Sequence, residues 1–173
     1  MAGETLNLVG TYTVASDTSY YTISNIPQTG DDLFILTSFV GDNSSNGDGR
    51  IAVYPNGDGG NMYMIYRGSN GGTSVSQYSA AYYIRLSQGS MPDYGPSSNE
   101  LTIFNYSSSS LTKPISWETN MYGARLLAGT ANWYSTSPVT SLGFQIRDYG
   151  TVIKANSVIS IYTIKRGSGG ATV

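Results

Sequence analysis

The chain has 173 residues, a net charge of −2 and only 12 % charged residues, about half of the usual quarter. Without cysteine or histidine it has no disulfide, thiolate metal site or Cys nucleophile, and it lacks the commonest general base and zinc ligand. No Lys/Arg run offers the clustered phosphate contacts that nucleic-acid binding needs, and no apolar run reaches the length of a membrane span. Residues 1–5 do not read as a signal peptide.

Leu6, Leu8, Tyr12 and Val14 alternate with polar residues, the period of a half-buried strand, and Gly10 is the place for a bulge or close approach. Tyr21 and Ile23 continue this period until Pro27, which lacks a ladder donor, ends the run. The stretch 33–40, LFILTSFV, is apolar on both faces and reads as a strand in a sandwich core, with Leu36 and Phe39 as core residues. Residues 41–49 form a polar loop. Strands at 50–54 and 62–67 flank Asn56-Gly57, a hairpin signal. Residues 68–76 are rich in Gly and Ser. The stretch 77–86 reads as a strand through its Tyr and Ile, with one helical turn as the alternative. Gly89, Pro92, Gly95 and Pro96 make 87–99 a long loop, of the kind that carries function or packs on a neighbour.

Strands follow at 100–106 and Lys113–Met121, the latter with Ile115, Trp117 and Met121 on one face. Those at 131–135 and 139–147 flank a turn at Ser137-Pro138, and Leu142, Phe144 and Ile146 share a face. A last strand, 157–165, contributes Ile161 to the core. About ten short strands with regular turn signals predict an all-β antiparallel β-sandwich, jelly-roll-like, as one domain over 1–166 with a Gly/Ser tail at 167–173.

The pattern I-x-x-I-P-Q-T-x-x-D-L, carried by Ile23, Ile26, Pro27, Gln28, Thr29, Asp32 and Leu33, resembles a β-sandwich domain recurrent in bacteriophage virion proteins. Asn56-Gly57-Asp58, Tyr63 and the closing I-Y-x-I-K at 161–165 extend the resemblance over most of the chain, although Tyr54-Pro55-Asn56 stands where the family has F-N. The resemblance implies a virion protein made in the host bacterial cytoplasm: a capsid decoration or cement subunit, trimeric, docked on the major capsid protein or another virion protein. The alternative it implies is a tail or fibre adhesin binding host glycans.

Asp42, Ser44, Asn46 and Gly47 match the first positions of an EF-hand loop, but Val53 stands where the bidentate Glu belongs. A solvated turn is the simpler reading, so no metal and no cofactor is expected. Asp58 reads as a turn residue, with an ion or a sugar hydroxyl as the alternative partner. The candidate acid–base carboxylates are Asp93, Glu100, Glu118 and Asp148. Spacing brings no two of them together, and an exposed Glu118 is expected opposite a Lys or Arg; no catalytic residue and no enzyme activity are expected. Among the 15 tyrosines, Tyr12, Tyr21 and Tyr162 fit core positions. Aromatics beside loops add contact area at low entropic cost, so the candidate interface is Tyr78, Tyr82, Tyr83, Met91, Tyr94, Trp133 and Tyr134. The termini are expected to order on a neighbouring subunit.

Overall fold

The computed structural model describes residues 5–40, 50–70, 83–86, 97–121, 125–147 and 152–167. Eleven strands and no helix are present among them: β1 Thr5–Thr13, β2 Tyr20–Ile23, β3 Asp32–Phe39, β4 Arg50–Pro55, β5 Met62–Asn70, β6 Ile84–Arg85, β7 Ser97–Ile103, β8 Lys113–Met121, β9 Arg125–Trp133, β10 Leu142–Arg147 and β11 Val158–Lys165. They form a seven-stranded sheet, β1-β11-β3-β7-β8-β9-β5, and a four-stranded sheet, β2-β10-β4-β6. All pairs are antiparallel.

The fold is a β-sandwich because each sheet has one apolar face to bury. Ile35, Leu101, Trp117 and Ile161 from the large sheet meet Ile51, Val53, Ile84 and Phe144 from the small one in a single core. Phe39 and Phe144 bridge the layers with ring centroids 5.7 Å apart. Core positions Phe39, Phe144 and Ile161 are fully buried. Leu36 is not among them. In β3 burial alternates, with Leu33, Ile35, Thr37 and Phe39 inside and Phe34, Leu36 and Ser38 half-buried on the outer face. Leu36 and Phe39 differ by an odd number of positions and so point to opposite faces.

Gly10 is a bulge: the β1–β11 register shifts between Leu8 and Gly10. Asn56-Gly57 does turn, with φ of 53° and 68°, but it makes no hairpin. β4 already lies between β10 and β6, so the chain crosses to the other sheet, where β5 pairs with β9. Asn56 holds this arch by its side chain, donating to Pro138 O at 2.8 Å and accepting from the N–H groups of Thr140 and Ser141.

The I-P-Q-T stretch is the corner where the chain passes from β2 in the small sheet to β3 in the large one. Ile23, Ile26 and Leu33 enter the core. Gln28 Nε2 donates to Ile26 O and Val139 O, and the buried Tyr106 hydroxyl donates to Pro27 O at 2.6 Å and accepts from Gly30 N–H. Asp32 accepts from Asn105 N–H and from the Arg166 guanidinium. Those motif residues whose contacts are described serve the corner.

Candidate functional site

The outer face of the seven-stranded sheet is covered by no second layer among the described residues, and its antiparallel register sets the side chains in rows. One row runs Leu8–Tyr162–Phe34–Thr102–Ser116–Thr130–Ile65. The next runs Ser160–Leu36–Glu100–Glu118–Ala128–Arg67. The face is therefore graded. Its β1 margin is apolar, with Leu6 55 % and Leu8 58 % exposed and Ile164 beside Leu6. Phe34 and Tyr162 extend this band inward, their rings 6.2 Å apart. Its middle is polar.

At the centre Glu100 stands directly opposite Glu118. The expected Lys or Arg partner of Glu118 is absent from both neighbouring positions, which hold Glu100 and Ala128. Arg67, in the same row, is two strands from Glu118, about 10 Å at the usual strand spacing. Two shallow depressions meet at this pair. One, of ≈ 250 Å³, is lined by Phe34, Thr102, Ser116 and Trp117 together with both glutamates. The other adds Ser98 and Asn120. Like charges facing across strands oppose folding, so the pair is an electrostatic cost of the fold, set on open sheet rather than in a cleft. Among the described residues no three carboxylates converge on a metal position.

The outer side of the small sheet carries a row of tyrosines, Tyr20 exposed, Tyr54 buried beneath its neighbours and Tyr83 half-buried. Tyr20 and Tyr54 have ring centroids 6.3 Å apart, Tyr54 and Tyr83 5.9 Å. The Arg147 guanidinium lies over the Tyr83 ring at 5.1 Å, and the Tyr54 hydroxyl donates to Gln145 Oε1 at 3.0 Å. Burial raises the Tyr54 hydroxyl pKa, against the lowering pull of Arg147. Gly143 makes the row possible, since a Cβ there would lie 1.9 Å from the Tyr20 hydroxyl and 2.6 Å from Tyr20 Cζ; the hydroxyl end of the tyrosine occupies the space that a side chain would take.

Of the sequence-derived contact residues, Tyr83 belongs to this row and Tyr134 is exposed. Trp133 is a correction: it is 2 % exposed in the core, and its Nε1–H donates to Asp58 Oδ2 at 2.8 Å. As the last residue of β9 it takes the inward parity of Leu127 and Ala131. Asp58 thus has a structural post, since Oδ1 also accepts Gly60 N–H. Tyr78, Tyr82, Met91, Tyr94, Asp93, Asp148 and the 41–49 loop lie outside the described residues. Tyr12 and Tyr21 pack against the core, whereas Tyr162 is on the outer face. Sequence reasoning missed Leu6 and Leu8 as surface residues and Tyr20 and Tyr54 as row members. The alternation of β1 held the first signal, but its polarity was readable either way.

Comparison with family models, curated proteins and solved structures gives no match. The likeness to virion domains therefore rests on the residues named above alone.

Proposed function

We propose that the chain is a structural subunit of a bacteriophage particle, a decoration or cement protein docking on the major capsid protein or another virion protein. The observation that carries this is the outer face of the large sheet, which no second layer covers among the described residues, with its apolar margin of Leu6, Leu8, Phe34, Tyr162 and Ile164. An apolar margin of this kind, with few charges around it, is a protein-contact surface. The reading assigns no catalysis to Glu100 and Glu118. The test is co-sedimentation of purified protein with particles lacking it, followed by a particle map. Saturable binding lost in Tyr162→Lys supports the docking face; binding unchanged by that substitution refutes it.

The tyrosine row favours a second reading, a glycan-binding module. Tilted rings in contact, with Tyr20 exposed over the buried Tyr54 and with Arg147 and Gln145 beside them, offer the mix of apolar area and oriented polar groups that sugars need. Retention on host-polysaccharide beads, abolished by Tyr20→Ala and untouched by Tyr162→Lys, would select it over the first.

A further inference from the structure

We infer that β1 is a self-association edge: two copies pair antiparallel through Thr5–Val9 about a two-fold axis at Asn7, Leu6 of each facing Leu8 of the other. This deepens the docking reading by naming one partner, a second copy of the chain, and it rests on that reading for its biological setting only.

The argument begins with the sheet edges. The two sheets end on β1, β5, β2 and β6. β2 has four residues and β6 two, too short to seat much of a partner strand. β5 carries Arg67 on its exposed face. β1 is nine residues long and contains no Asp, Glu, Lys, Arg or Pro. Natural edges are blunted by such residues, by shortness or by bulges. β1 has only its bulge, between Leu8 and Gly10, which leaves the preceding segment regular. Among the described residues its one neighbour is β11, so the side away from β11 presents a row of backbone donors and acceptors with no described strand against it. Those groups ask for a strand as occupant.

The side chains point to a copy of β1 itself. A strand paired antiparallel with itself about residue 7 matches position i with 14 − i. Leu6 then faces Leu8 of the second copy twice over, on the same outer face, and Thr5 faces Val9. Both leucines are now more than half exposed. Asn7 meets Asn7 on the axis, two amides that can hydrogen-bond to one another. Within Thr5–Val9 no charge opposes the approach: Lys165 sits beside Thr5 on the far side of β1, and Glu4 precedes the paired segment in the sequence. The result continues each large sheet into its copy and joins the two apolar margins. Such a contact is isologous and closes at two copies, whereas the virion resemblance implies three.

The test uses the full chain, which has no cysteine of its own. In Asn7→Cys the new thiols lie on the axis, where directly opposed Cβ atoms are about 4.5–5.5 Å apart, close to disulfide geometry. Mild oxidation should give disulfide dimer roughly tenfold or more faster than in Thr22→Cys, an exposed control on β2, because paired thiols meet at an effective concentration of about millimolar. Native mass spectrometry should show a wild-type dimer that Leu8→Lys turns to monomer, with an unchanged melting curve below the dissociation range. A wild-type monomer, equal oxidation rates for the two cysteine variants, or an oligomer that survives Leu8→Lys would each overturn the inference. Particle binding retained by a monomeric Leu8→Lys protein would sink the two-fold contact as a docking requirement and spare the docking face. Particle binding unchanged in Tyr162→Lys with the dimer intact would do the reverse, sinking the docking face and sparing the two-fold contact.

Discussion

Gly129 and Gly143 offer a comparison in which the shorter contact is the weaker constraint. A Cβ added at Gly143 would sit 1.9 Å from the Tyr20 hydroxyl; one added at Gly129 would sit 2.4 Å from Trp117 Cζ2 and 2.8 Å from Tyr66 Cβ. Distance alone ranks Gly143→Ala as worse. Mobility reverses the order. Tyr20 is 41 % exposed, and its hydroxyl is the far end of a side chain that can swing into solvent. The swing loses its contact with Tyr54, worth about 0.5–1.5 kcal/mol, while replacing a strand glycine returns roughly 0.5–1 kcal/mol. Gly143→Ala should therefore change stability by less than about 1 kcal/mol. At Gly129 the neighbours in the row are Tyr66 and Trp117, both buried, and neither ring has space to retreat. Overpacking of this kind costs typically 1–3 kcal/mol, which at this size lowers the melting temperature by about 2–12 °C. Calorimetric or circular-dichroism melting of both variants measures it, and Trp117→Leu added to Gly129→Ala should recover part of the loss. A Gly143→Ala protein that melts as low as Gly129→Ala, or lower, would refute the reasoning.

Lys113 is fully buried, and its ammonium donates to the carbonyls of Ser108, Leu111 and Thr136; burial also lowers its pKa. Lys113→Met should cost about 2–4 kcal/mol in urea unfolding by stranding those carbonyls, and it should remove the small gain in stability that wild type shows as pH rises through the folded value and the buried charge is relieved. The backbone N–H of Arg166, and then Lys165, hold the Asp31 carboxyl below its ordinary value; a lowered carboxylate pKa stabilises the fold above the unfolded value and loses that contribution as pH falls through the folded one. Asp31→Asn should thus flatten the acid limb of the urea midpoint below about pH 4, and an unchanged limb would disprove the role. Glu118→Gln removes the repulsion across β7 and β8 and should raise stability by about 0.2–1 kcal/mol; a loss measured in the same assay would mean that the carboxylate has a favourable partner. Neither Glu100 nor Glu118 should support release of reducing sugar from host polysaccharide, and an activity abolished in both glutamine variants would reverse that expectation.

Strand character was legible residue by residue. Alternation in β1 and β2, the Gly10 bulge, the Asn56-Gly57 turn and the inward face of Leu142, Phe144 and Ile146 are local properties of backbone geometry, and so the all-β class could be read directly. Parity within an evenly apolar strand could not. In β3 both faces look alike, and only the small sheet lying over Ile35 and Phe39 turned Leu36 outward. Pairing was equally out of reach, because a strand's hydrogen bonds are satisfied by any neighbour and the choice is made by the other strands competing for that edge. That competition sent β5 across to β9 instead of back along β4 and drew Trp133 inside to meet Asp58. It also set Glu100 against Glu118, residues 18 positions apart whose proximity depends wholly on the β7–β8 register.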